Sequence, residues 1–198
     1  MKRLCLGLWF LAGCTSTAKV DSGATPEAVV SSDTGHQQSW DGSSEAERSA
    51  AAAAMLSAAT AFLSALDEAQ RGQAQYGLSH PERSDWSNLP HAVYARVGVE
   101  FGSLNARQVG LGWDLIRASL SAAGLERARA IIQMEKLLWD DGDTSANPGN
   151  YFFTFYGTPA ADGPWGWQLD GHHLALNFTV AGSEVTFAPS LWGTAPKT

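Results

Sequence analysis

An α+β domain, with helices first and an antiparallel β-meander after them, is the fold class this sequence predicts. Three observations carry it. An alanine run, Ala50 to Ala54, has the highest helix propensity available and opens a region of helical apolar spacing. From Tyr151 onward, aromatic and β-branched residues dominate, cut by Gly- and Pro-containing turns. The chain has 198 residues, 44% apolar and 17% charged, enough for one sizeable core. That composition excludes a disordered tail and a histone-like polycation. A formal net charge of −7 with no Lys/Arg cluster also argues against nucleic acid, because phosphate neutralisation dominates such affinity.

The N-terminus is read first as an address. Lys2 and Arg3 precede an apolar run, Leu4 to Phe10, too short to span a bilayer. Leu11-Ala12-Gly13-Cys14 follows and resembles the bacterial lipobox. The resemblance implies that residues 1–13 are a signal peptide and that Cys14 is lipidated. It places the protein in the bacterial cell envelope, with the membrane as a partner through Cys14. Thr15, standing where an Asp would favour inner-membrane retention, leans the address towards the outer membrane. Cys5 leaves with the signal peptide, so no disulfide and no cysteine-ligated metal is expected. Residues 14–44 are rich in Ser, Thr, Gly, Ala and Asp without periodicity and read as a disordered tether of about 30 Å. His36 and Trp40 lie in it as solvated linker residues.

A single domain is expected over residues 45–198. Glu45 and Glu47 favour a helix start. Met55, Ala59, Phe62, Leu66 and Ala69 make one buried stripe of a helix that should end near Arg71 and Gly72. After an irregular stretch from Tyr76 to Pro90, Val93, Ala95, Val97, Val99 and Phe101 alternate with polar residues, the pattern of a half-buried strand. Asn105 and Gln108 form a capping-box pattern, with Val109, Trp113, Ile116 and Leu120 on the following helix face. Gly124 reads as the residue that closes this helix. A third helix places Leu125, Ala128, Ile131, Ile132 and Leu138 inward and stops before Asp140-Asp141-Gly142-Asp143. That acidic run fails as an EF-hand, since Ala146 and Phe152 stand where Gly and Glu belong. Tyr151 to Tyr156, Trp165 to Leu169, His172 to Val180 and Glu184 to Ala188 are the expected strands.

No standard catalytic motif is present. Chemistry-bearing residues concentrate in Trp165-Gly166-Trp167-Gln168-Leu169-Asp170-Gly171-His172-His173. Imidazole is the common neutral metal ligand and general base. An unbroken strand sends adjacent side chains to opposite faces. His172 would then be buried with Leu174, Leu176 and Phe178, and His173 would reach a cleft with Asn177. The alternative is a break at Gly171, which lets both histidines serve one site. His172 and His173 are the metal-ligand candidates, for a divalent transition metal such as Zn, Cu or Fe, with Asp85 or Glu135 completing the set. His173 and Asp170 are the catalytic candidates, Asp170 orienting an imidazole. A second cluster, Arg83-Ser84-Asp85-Trp86-Ser87-Asn88-Leu89-Pro90, offers Arg83, Trp86 and Asn88 as ligand-binding residues. Trp165, Trp167 and Gln168 join them, and Trp165, Trp167, Trp192 and Tyr156 suggest an aromatic platform for a glycan or other small molecule. Arg96 could pair with Glu100 on its own face of the expected strand.

Asp67-x-x-Gln70-Arg71, the Arg83 to Pro90 segment, Arg96-x-Gly98-Val99, Leu104-x-x-x-Gln108 and the Trp165 to His173 segment, with Pro189 and Gly193 after it, resemble one family. It is the uncharacterised family called domain of unknown function 3500. The resemblance covers about Phe62 to Pro196 and lends no catalytic residue. Members of that family continue past the part matching Leu191 to Pro196, so the resemblance implies a shortened version. Three functions follow as expectations: an envelope metal-dependent enzyme, a noncatalytic ligand-binding lipoprotein, or an inactive truncated paralogue.

Overall fold

The computed structural model describes residues 43–193. The expected signal peptide, the expected lipidation at Cys14, and the expected tether with His36 and Trp40 lie outside the described residues. The first element is helix α1 (Glu45–Ala65), opened by a capping box in which Ser44 and Glu47 satisfy each other's backbone N–H groups. Met55, Ala59, Phe62 and Leu66 are buried, whereas Ala69 is exposed. The single long helix expected to reach Arg71 is in fact two. Leu66 turns extended, and Asp67 with Gln70 forms a second capping box that starts helix α2 (Glu68–Ala74). The alanine-rich periodicity hides that restart.

Strand β1 (Gln75–Tyr76) leads into an irregular segment, residues 77–98, and then β2 (Val99–Glu100). The strand expected from Val93 to Phe101 is therefore reduced to two residues. Gly98 has φ +114°, and a Cβ there would sit 2.4 Å from Thr154 Oγ1 and 2.7 Å from the Phe153 carbonyl oxygen. Only glycine tolerates that backbone and that approach. Val93 is 70% exposed, so the apolar alternation did not mark a buried face.

Asn105 and Gln108 form the expected capping box of α3 (Ala106–Ser119). Gln108 also stitches helices together, donating from Nε2 to the Ala65 carbonyl at 2.9 Å and to Gln70 Oε1 at 2.7 Å. Gly124 does not close this helix: Ser121 caps helix α4 (Ala122–Asp140), and Gly124 lies in its first turn. On α4 the buried residues are Ala128, Ile131, Ile132 and Glu135, one helical stripe that ends in a carboxylate.

Strands β3 (Tyr151–Tyr156), β4 (Trp165–Gly171), β5 (Leu174–Ala181) and β6 (Glu184–Trp192) form the antiparallel meander. The sheet order is β1-β3-β4-β5-β6, with β2 also paired to β3 and β1 running parallel to β3. Register places Phe155 beside Trp167 and Trp167 beside Phe178, so one face is aromatic. Phe62 of α1 stacks against it, with ring centroids 4.8 Å from Phe153 and 5.9 Å from Phe155. Gly112 of α3 meets the same surface, where an added Cβ would lie 3.0 Å from the Phe153 ring. The other face carries Thr154, Gln168, Asp170 and Asn177, all buried, the first three bonded to residues 77–98 and Asn177 to the Pro189 carbonyl. The fold is thus helices on an apolar sheet face and an irregular strap on a polar one.

Candidate functional site

β5 begins at Leu174, not at His172. His172 and His173 form the turn between β4 and β5, and His173 sits in the left-handed region at φ +63°. The unbroken strand that would have separated the two imidazoles does not exist, and the assignment of a structural His172 and a cleft-lining His173 falls with it. The rings instead stack, centroids 3.7 Å apart and 27° from coplanar.

Both rings reach one carboxylate. His172 Nδ1 is 2.8 Å from Glu135 Oε2, and His173 Nδ1 is 3.1 Å from Glu135 Oε1. The Glu135 side chain is 1% exposed, against 14% for His172 and 18% for His173. The carboxylate is therefore buried and the imidazoles face partly outward. The three residues offer ligand atoms all within 4.8 Å of one another. With each Nδ1–H donated to Glu135, each Nε2 lone pair is left to bind a metal or accept a proton.

The turn is held from three sides. The Tyr151 hydroxyl donates to the His172 carbonyl at 2.8 Å. Gly193 N–H donates to the His173 carbonyl at 2.7 Å, and His173 N–H to the Asn88 carbonyl at 3.4 Å. Burial pushes the Tyr151 phenol far above its ordinary value, so it stays a donor. Gly171 is also required, since a Cβ there would lie 2.2 Å from the Tyr151 ring.

Asp170 does not orient an imidazole. It lies on the polar sheet face, 3.0 Å from Arg96 Nε, with both side chains buried. Burial pushes its carboxyl up to about 6, outweighing the opposing pull of the Arg96 guanidinium. Arg96 thus pairs with Asp170 and not with Glu100. It also donates to the Ser87 carbonyl at 2.5 Å and the Leu89 carbonyl at 2.8 Å, which ties the strap together around the ion pair that fastens it to the sheet.

The other expected site residues divide. Asp85 is exposed and takes no part in the His–Glu cluster, its carbonyl accepting from Gln168 Nε2 at 3.3 Å. Asn88 is exposed and meets the histidine turn through its backbone alone. Trp86 is half-buried in the strap. Trp165, Trp167 and Tyr156 are fully buried, so they are core and not an exposed aromatic platform; Trp192 is half-buried. Arg83, Trp167 and Gln168 do meet, in the wall of a cavity of about 330 Å³ between strap and sheet. Trp86, Asn88 and Trp165 are not part of that wall. Glu135 was legible as a carboxylate at the inward position of an apolar helical stripe. The position of the turn was not.

No curated protein and no solved structure matches the chain. A family model does match, over residues 48–198, which spans all but the first turn of α1, the other described helices and the whole sheet. The chain belongs to that family, described as Protein of unknown function (DUF3500).

Proposed function

We propose that the chain is a lipid-anchored protein of the bacterial cell envelope, held through Cys14, and that Glu135, His172 and His173 form the divalent transition-metal site of an enzyme. The observation that supports it is the buried Glu135 carboxylate receiving both imidazoles, at 2.8 and 3.1 Å. With Glu135 holding both Nδ1–H groups, the two Nε2 atoms suit Zn, Fe or Cu and leave coordination positions open for water or substrate, as catalytic sites do. A bound cation would supply Lewis acidity towards a water or a substrate oxygen. The chain's own contribution is orientation: Glu135 fixes both rings, and Tyr151, Gly193 and Asn88 fix the turn that bears them. A left-handed backbone at a non-glycine residue is strain of the kind that collects at functional sites.

Metal content tests this. The untagged full-length chain, extracted in mild detergent and dialysed against zinc, cobalt or copper, should retain about one equivalent of at least one of them. The His172→Ala/His173→Ala double variant should retain none. Glu135→Gln should weaken retention by about 10–100-fold, the usual loss when a carboxylate that orients ligating imidazoles is neutralised. Equal metal content in wild type and double variant would remove the site.

A further inference from the structure

The strap and the polar sheet face enclose a second site. Its cavity of about 330 Å³ is of a size that takes a small molecule. Gln168 and Asn177, register partners on β4 and β5, make its floor, and Gln168 Nε2 donates to Asn177 Oδ1 at 2.6 Å. Tyr156 and Thr179 add hydroxyls, and Ser84 adds another from the strap. The one charged residue of the wall is Arg83. Its Nη2 donates to Thr179 Oγ1 at 2.8 Å, and it has no ion-pair partner among the described residues. No acidic residue lines the cavity.

A half-buried guanidinium with most of its donors uncommitted calls for an anion, and its planar fork matches a carboxylate. Tyr156, Gln168 and Asn177 already donate to the Glu82, Asp85 and Pro189 carbonyls, so what the wall leaves for a ligand is acceptor capacity on its side-chain oxygens together with the Ser84 and Thr179 hydroxyls, which a hydroxylated molecule matches. A cavity this small excludes an oligomer. We infer that the Arg83 cavity binds a small hydroxylated carboxylate, a sugar acid of about the size of a hexuronic acid. It shares no residue with the Glu135–His172–His173 cluster. Gln168 stands four residues before His172, about 13 Å along a strand. The inference therefore does not depend on a metal.

Calorimetric titration of the full-length chain in mild detergent tests it, with galacturonate, galactose and inorganic phosphate as probes. Galacturonate should bind saturably with a Kd below about 1 mM. Galactose, which lacks the carboxylate, and phosphate, which lacks the ring hydroxyls, should each bind at least about tenfold more weakly. Arg83→Gln should lose galacturonate binding by about tenfold or more, with metal retention unchanged. Ala188→Trp, on the exposed rim, should fill the cavity mouth without touching Arg83 and should abolish binding. It serves as the test if Arg83→Gln does not fold. Absence of saturable galacturonate binding, galactose or phosphate binding as tightly, or full binding by folded Arg83→Gln or Ala188→Trp would overturn the inference.

Discussion

His173 carries two opposed demands. Its backbone, at φ +63°, is one that glycine adopts freely and that costs other residues about 1–2 kcal/mol. Its ring stacks on His172 and reaches Glu135. If the ring is kept for a metal, the strain is a consequence of function, and the two can be separated by substitution. His173→Ala removes the ring and keeps the strain. His173→Gly removes both. In chemical denaturation, His173→Gly should be more stable than His173→Ala by about 1 kcal/mol, while both lose metal retention to the same extent. Alanine as stable as glycine would mean that the turn rearranges once the ring is gone, and that the ring, not the hairpin, sets its shape. The pair Asp170-Arg96 shows the same tension between a residue's neighbours and its label. An acid two residues before a pair of histidines suggests a catalytic role from sequence, but strand alternation sends it to the other side of the sheet.

At the scale of elements, what was legible depended on whether the stabilising contact is local. Helix starts at Ser44 and Asn105 are written in the few residues that make each cap. The strands of the meander are written in runs of aromatic and β-branched residues bounded by turns. The strap is not legible in sequence because its contacts are distant: Arg96 reaches Asp170, Gln168 reaches the Asp85 carbonyl, and Gly98 packs on Thr154. Its apolar alternation is the residue of a segment pinned by polar bonds at each end. The sequence leaves the histidine turn as one of two alternatives for a related reason, since the bonds that select it come from Tyr151, Gly193 and Asn88. Gly98 is the point where the strap is most constrained. Gly98→Ala puts a Cβ 2.4 Å from Thr154 Oγ1, and the Phe153 carbonyl at 2.7 Å leaves no room to move aside. The added methyl and the unsuitable φ together should cost about 2–4 kcal/mol in a denaturant titration. Because the strap also closes the polar face, amide exchange at Gln168 and Asn177 side chains should quicken. A loss below about 0.5 kcal/mol would mean that the strap is loosely held.

Under the proposed function, the folded domain follows a signal segment of different chemistry. No helix among the described residues is long and apolar enough to cross a membrane. The apolar run from Leu4 to Phe10 is also too short to do so. An acidic chain of net charge −7 gains nothing from anionic headgroups, so electrostatic adhesion is no substitute for insertion. Under the proposed anchoring, then, all membrane affinity resides in the lipid on Cys14. Two or three acyl chains, at about 0.8 kcal/mol per buried methylene, give stable attachment, whereas none gives none. Cys14→Ser removes the acceptor thiol and leaves the domain untouched, because the substitution lies far before α1. Expressed in a bacterium with an outer membrane, the parent should sediment with membranes and survive a high-salt wash, since lipid insertion is insensitive to screening. The variant should appear in the soluble fraction with the same thermal unfolding midpoint and the same metal content. A Cys14→Ser chain that still sediments after the salt wash would show that something other than acylation holds the protein, and the address read from Lys2 to Cys14 would have to be abandoned.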